Sequence, residues 1–260
     1  MSDNINLVIN GKACTCKKGE YLLEVIKRNG FYVPTMCHHE GLSSGGSCRI
    51  CIVEIVENGH SKVVTSCIYP VTQKLEVFTD NDNIKELRGM LFTLLQRLAP
   101  NSPKIKQLAD FSGIDLPRLK PKVDGDLCIL CGRCVVACDS LGTGAIAKVN
   151  RGVTKQIATP YHEASSECIG CGSCVSVCPT NAIPYVQTET HYSIWSRDFE
   201  MLTCSRCGKP FVTKAEYEHL HKVQQGEKGY AQQENLEEPL CEECSKRAVA
   251  RQVADAGKNL

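Results

Sequence analysis

Large rings are scarce in this chain of 260 residues: Phe, Trp and Tyr together make up 6%, and there is a single Trp. A chain so poor in aromatics is not expected to build one extensive core, and several small modules stapled by metal fit it better. An excess of one charge is missing too. The formal net charge is +1, with 8 basic against 8 acidic side chains in residues 1–80 and 10 against 11 in residues 191–260. No block has the basic footprint of a nucleic-acid binder. Long apolar runs are also absent. The most apolar patch, residues 90–98, is interrupted by Thr93, Gln96 and Arg97, and falls short of the ~18 residues of a membrane span. The opening MSDNINLVING has no basic start and no apolar stretch, so no secretory signal is expected. These absences predict a cytoplasmic protein, where paired cysteines are metal ligands more often than disulfides. No G-x4-G-K-[ST] run occurs, which removes the commonest phosphate-binding loop. Gly142, Gly144 and Ala147 have dinucleotide-fingerprint spacing but no strand before them, and are read as a turn.

Cysteine is what the chain has in excess, with 18 residues in well-separated groups. Cys14 and Cys16 stand on one face of an expected strand and read as small buried side chains. Around them, Asn10-Gly11 and Asn58-Gly59 each separate two short extended runs, as in hairpins with primed turns. Residues 21–29 carry Leu22, Leu23, Val25 and Ile26 ahead of Gly30, which predicts a helix. Residues 1–80 are thus expected to form a small α+β unit. Residues 68–127 hold neither Cys nor His. There Ile84, Leu87, Leu91, Leu94, Leu95 and Leu98 recur at helical spacing up to Pro100. A second helix is expected from Ser102 as N-cap and Pro103 to Gly113. Residues 81–122 therefore read as a helical spacer, with PRLKPKVDGD leading on as a linker.

Cys37, Cys48, Cys51 and Cys67 provide four thiols, with Gly41, Gly45 and Gly46 inside the loop. Such a loop lets backbone N–H groups approach the sulfides of a 2Fe–2S centre, the expected occupant. Zinc is the rival. His38 and His39 adjoin Cys37, but the thiolates already suffice. The spacing C-x2-C-x2-C-x3-C then occurs twice, as CILCGRCVVAC over residues 128–138 and CIGCGSCVSVC over residues 168–178. This is the bacterial ferredoxin run, in which the fourth Cys ligates the other cluster. One 4Fe–4S cluster is accordingly expected on Cys128, Cys131, Cys134 and Cys178, and the other on Cys168, Cys171, Cys174 and Cys138. The second copy continues into Pro179, whereas the first has Asp139. No C-x3-C-x2-C run occurs, so neither cluster is expected to keep an open iron for radical chemistry.

Cys204, Cys207, Cys241 and Cys244 form two C-x2-C knuckles. With Gly208 behind the first, they predict a closed structural zinc site, with rubredoxin-like iron as the rival. His219 and His221 lie between the knuckles and are assigned to a solvated helix face. Residues 242–255 read as a terminal helix.

PTMCHHEGLSSGGSCRICIVEI resembles the 2Fe–2S region of the large iron–sulfur subunit of complex I, and CILCGRC with CIGCGSCVSVCPTNAI resembles the ferredoxin region that follows it there. The same layout is found in diaphorase subunits of NAD-linked hydrogenases, in iron-only hydrogenases and in electron-bifurcating complexes. The resemblance spans roughly residues 1–190. It implies a multi-module α+β chain: a β-grasp 2Fe–2S domain over 1–80, the spacer over 81–122 and a bacterial-type 2[4Fe–4S] domain over 123–192, to which the two knuckles add a zinc-ribbon-like module over 193–260. Relatives carry a further cluster on one His and three Cys between the two regions, and without such residues it is expected to be absent here. The resemblance also implies a small electron-transfer subunit. Its expected partners are a flavoprotein subunit that oxidises NAD(P)H, a further redox subunit and a soluble ferredoxin. A free ferredoxin-like carrier and an iron–sulfur regulator that binds DNA are the alternatives, and the balanced charge argues against the second.

Overall fold

The computed structural model describes residues 4–117, 127–226 and 239–256. Apart from Pro117, the expected linker lies outside the described residues. The chain divides into two compact units. The first takes residues 1–137 with the short segments 150–156 and 177–182, and the second takes residues 138–149, 157–176 and 183–260.

In the first unit, β1 (Asn4–Ile9) and β2 (Lys12–Lys17) pair antiparallel around Asn10 and Gly11, both at positive φ. Helix α1 (Leu22–Arg28) follows and buries Leu22, Leu23, Val25 and Ile26. Strands β3 (Ile52–Glu57) and β4 (His60–Thr65) form the second hairpin, again with both turn residues, Asn58 and Gly59, at positive φ. Strand β5 (Glu76–Phe78) lies parallel to β1 and antiparallel to β3, giving a five-stranded sheet in the order β2-β1-β5-β3-β4. One apolar cluster joins α1 to this sheet and takes in Cys14 and Cys16, which are side chains of the sheet core.

Helix α2 (Asp82–Leu98) starts at Asn81, whose side chain accepts the Ile84 N–H at 2.9 Å. It buries Ile84, Arg88, Phe92 and Leu95, one stripe of its surface. Arg88 is buried and donates to the Ile52 and Thr79 carbonyls at 2.6 and 2.8 Å, fastening the helix to the sheet. Burial lowers its pKa. Helix α3 (Pro103–Phe111) has Ser102 at its N-cap and Pro103 in its first turn, although the Ser102 hydroxyl makes no cap bond. The two helices pack a second apolar cluster with Met36, Ile50 and Ile129.

Helix α4 (Arg133–Ser140) carries the end of the first four-cysteine run. In the second unit, β6 (Ala147–Val149) pairs with β7 (Gln156–Ala158), and the short helix α5 (Ser173–Ser176) belongs to the second run. Strands β8 (Tyr185–Gln187), β9 (His191–Ile194), β10 (Arg197–Thr203) and β11 (Pro210–Thr213) form an antiparallel sheet in the order β11-β10-β9-β8. Helices α6 (Lys214–Gly226) and α7 (Glu242–Ala256) complete the unit. The expected turn at Gly142 and Gly144 is observed, both glycines having positive φ. Among the described residues no helix is long and apolar enough to cross a membrane.

Candidate metal centres

The first quartet is placed by the β3–β4 hairpin. Its register pairs Ile52 with Thr65, so Cys51 just before β3 and Cys67 just after β4 come out at the same open end. The loop returning from α1 brings in Cys37 and Cys48, and the Cys48 N–H donates to the Cys37 sulfur at 3.4 Å. All four are buried, none more than 6% exposed. Cys51 and Cys67 belong to the sheet core, whereas Cys37 and Cys48 belong to the core under α2 and α3. The quartet therefore sits on the seam between two apolar clusters.

The Cys48 and Cys67 thiols donate toward Cys37, and this holds its pKa far below the ordinary thiol range. Cys67 likewise lowers Cys51. Cys48 and Cys67 rise in turn, first as donors and then through burial. Gly46, at φ +60, is closely packed, since a Cβ there would lie 2.7 Å from Ile68 Cδ1 beside Cys67 and the Ile68 side chain would have to move. The two histidines are engaged elsewhere. His38 Nδ1 lies 2.7 Å from Ser44 Oγ, and His39 Nδ1 accepts the Gly41 N–H at 3.1 Å.

The fourth cysteine of each ferredoxin-type run falls with the first three of the other run. Cys178 falls in the same compact unit as Cys128, Cys131 and Cys134, and Cys138 in the same unit as Cys168, Cys171 and Cys174. Burial raises the Cys131 thiol, and the nearby Cys178 and Cys37 add to the rise. Burial likewise raises Cys168, with Cys171 and Cys138 adding to it. Cys138, Cys168, Cys171 and Cys174 line one cavity. The two fourth cysteines have matching surroundings: Cys138 accepts the Ala145 N–H and Cys178 the Ala182 N–H, both at 3.2 Å.

Several residues that hold these loops have no cysteine-type motif to announce them. Arg133, just before Cys134, donates to the Met36 carbonyl, just before Cys37, at 3.2 Å. Cys131 packs on the cluster that contains Cys37 and Cys48. The loops of the first quartet and of the first run therefore share one apolar core. Arg197 on β10 donates to the carbonyls of Ser165, Ser166 and Cys168 at 2.8, 2.7 and 2.8 Å. Thr213 Oγ1 on β11 donates to the Ile169 carbonyl at 2.6 Å. The four-stranded sheet is the bed on which the second run lies. Burial pushes Cys174 up to about 11, and the Trp195 indole works against that rise.

Phe199 of β10 closes over Gly170. A Cβ on Gly170 would lie 2.7 Å from the ring, at φ +68. Leu130 holds the same place in the first run at φ 55, so it is Phe199, more than the dihedral, that demands glycine. Gly170→Ala is expected to lift the second run off the sheet. Iron analysis should then find about four irons fewer per chain, with the other centres retained.

In the C-terminal quartet the ligand atoms of Cys204, Cys207, Cys241 and Cys244 all lie within 4.8 Å of one another. Thiolates about 2.3 Å from a tetrahedral ion are about 3.8 Å apart, and the Cys207 and Cys241 sulfurs are separated by 3.8 Å. The donor set thus fits a single four-coordinate ion. The Cys241 N–H, with those of Cys207 and Arg206, lowers Cys204 to about 6, whereas desolvation raises Cys244 to about 12. His219 and His221 are not part of this group. The expectation of a solvated face fails for His219, which is half-buried with Nε2 3.0 Å from the Leu141 carbonyl oxygen. The His221 ring meets Tyr217 edge-on at 4.3 Å.

Comparison with known proteins identifies two iron–sulfur domains. Residues 2–82 match a 2Fe-2S iron-sulfur cluster binding domain, and residues 121–185 a 4Fe-4S dicluster domain. The chain is 30% identical over 213 residues to the NADP-reducing hydrogenase subunit HndD of Solidesulfovibrio fructosivorans, covering 69% of this chain and 36% of the relative. It is 28% identical over 217 residues to a putative formate dehydrogenase of Staphylococcus haemolyticus, covering 73% of this chain and 21% of that protein. It is 28% identical over 221 residues to the NADH-ubiquinone oxidoreductase 75 kDa subunit of Reclinomonas americana, covering 76% and 31%. The chain thus spans about a third or less of the length of these curated relatives. A chain from the crystal structure of an NAD+-reducing [NiFe]-hydrogenase in the H2-reduced state shares the fold, with a TM-score of 0.58 and 22% identity over 68% of this chain and 86% of that one. The chain therefore carries a 2Fe–2S domain followed by a 4Fe–4S dicluster domain and is an iron–sulfur relative of hydrogenase and NADH–ubiquinone oxidoreductase subunits.

Proposed function

We propose that this chain relays single electrons as a subunit of a multimeric oxidoreductase. It would link a flavoprotein subunit that oxidises NAD(P)H to a second redox subunit handling hydrogen, formate or another nucleotide, with electron bifurcation among the reactions such an assembly performs. In this reading Cys37, Cys48, Cys51 and Cys67 hold a 2Fe–2S cluster. Cys128, Cys131, Cys134 and Cys178 hold one 4Fe–4S cluster, and Cys168, Cys171, Cys174 and Cys138 the other. Cys204, Cys207, Cys241 and Cys244 hold zinc. Each iron–sulfur cluster, when bound, accepts and passes on one electron. The protein's own part is to keep the sulfurs buried, aim N–H donors at them and hold neighbouring loops together. The reducing cytoplasm suits a chain with so many thiols.

The observation that carries the reading is the apolar cluster shared by Cys37, Cys48 and Cys131, tied by the Arg133 bond to Met36. Two ligand loops far apart in sequence pack against each other there, as neighbouring centres of a relay require. A mobile carrier would not need the helices that build this cluster, which favours a fixed subunit.

Metal analysis of anaerobically purified full-length protein tests the assignment. About ten irons and one zinc per chain are expected, with three paramagnetic species on full reduction. Cys48→Ser should remove only the 2Fe–2S signal. A colourless preparation, or loss of a 4Fe–4S signal in Cys48→Ser with the 2Fe–2S signal intact, overturns the assignment.

A further inference from the structure

The only Trp of the chain, Trp195, occupies an unusual place. It sits with Ser196 in the two-residue turn between β9 and β10, where Ile194 pairs with Arg197. Both turn residues have positive φ, 54° and 59°. The other two such turns among the described residues use Asn-Gly, the pair suited to this geometry. A bulky aromatic in the left-handed region is a genuine outlier, and such a conformation persists only where its surroundings hold it. The Trp195 indole lines the same cavity as Cys138, Cys168, Cys171 and Cys174. Its Nε1 is sealed from solvent and, short of an approach to the Cys174 sulfur, meets no hydrogen-bond acceptor among the described residues. A buried N–H without an acceptor is uncommon and calls for an explanation.

We propose that the Trp195 N–H is a hydrogen-bond donor to the sulfur of the cluster held by Cys138, Cys168, Cys171 and Cys174, and raises the reduction potential of that centre. The inference rests on the ligand assignment above and deepens it. Trp195 acts on Cys174 already in the metal-free chain. Hydrogen bonds to the sulfurs are among the factors that set cluster potentials. On reduction one electron is gained, no bond forms or breaks and the indole keeps its proton. The sulfurs then carry more negative charge, and a donor to an anion strengthens. The N–H therefore favours the reduced state. Trp195 is a tuning residue, not a ligand.

The single Trp makes a clean test possible. Replacing tryptophan biosynthetically with benzothienylalanine puts sulfur where the indole has N–H and alters one site in the whole chain. Trp195→Phe serves as a second variant. Redox titration of the reconstituted full chain, followed by electron paramagnetic resonance, should show one 4Fe–4S midpoint falling. A tenfold change in the oxidised-to-reduced ratio, 59 mV for one electron, is the scale expected. The other 4Fe–4S and the 2Fe–2S midpoints should stay in place. Unchanged midpoints in the benzothienylalanine protein with full iron content overturn the inference and leave the ligand assignment standing. A native chain that never acquires the second 4Fe–4S cluster, and whose tryptophan fluorescence is unaltered by reconstitution, overturns the assignment and the inference with it.

Discussion

Replacing Cys178 by serine should empty the centre built on the first run, although Cys178 belongs to the second. Iron should fall from about ten to about six per chain, and one 4Fe–4S signal should vanish while its neighbour persists. The physical basis is placement. Cys178 shares a compact unit with Cys128, Cys131 and Cys134, and it adds to the rise of the Cys131 thiol. Its sulfur takes the Ala182 N–H at 3.2 Å, as Cys138 takes that of Ala145. Cys138→Ser should be the mirror image, sparing the first centre and damaging the second. Should serine replace the thiolate as a weak ligand, Cys178→Ala gives the full loss. If both Cys178 variants keep the first signal and lose the second, each run holds its own cluster and the crossed assignment is wrong.

The second large effect is expected from stripping the zinc proposed for the C-terminal quartet. Structural zinc contributes about 10–16 kcal/mol of apparent binding energy in small domains near neutral pH. Helix α7 has little else to hold it: among its described side chains, Cys244 alone is buried. Its ion pairs, Lys246 with Glu242 and Arg247 with Glu243, are exposed pairs within one helix turn, where solvent screens most of the attraction. A chelator, or Cys244→Ser, should therefore free the helix. Hydrogen exchange should show residues 242–256 losing protection nearly completely, with the 2Fe–2S and both 4Fe–4S signals unaltered. Retained protection after verified metal loss would mean that packing, and not the ion, holds α7.

The local elements of the first unit were legible because each has a residue whose backbone chemistry fixes it. Asn10-Gly11 and Asn58-Gly59 adopt positive φ and so close hairpins. Ser102 and Pro103 mark a helix start. The cysteine spacings likewise point to sulfur quartets, since a ligand loop must return within a few residues. The sheet of β8 to β11 was not read, because its central turn is Trp195-Ser196 and carries neither glycine nor asparagine. Arg197 and Thr213 hold the second run through backbone carbonyls, which have no sequence signature at all. His219 was assigned to solvent because helix periodicity cannot reveal that the Leu141 carbonyl lies opposite. The 81–122 segment read as a spacer, yet its helices complete the core around Cys37 and Cys48. That role depends on contacts between distant parts of the chain, which periodicity does not encode.

The seam beneath the first quartet also bears on how the protein is made. The sheet that presents Cys51 and Cys67 is complete once β5 ends at Phe78. The core around Cys37 and Cys48 lacks Ile129 until much more of the chain has been synthesised. At about 5–20 residues per second, roughly 3–10 s separate the two events on the ribosome. During that interval a nascent chain displays a half-built pocket with two thiols set and two unsettled. A chain cut before Ile129 is therefore expected to hold metal at this quartet less well than the full chain.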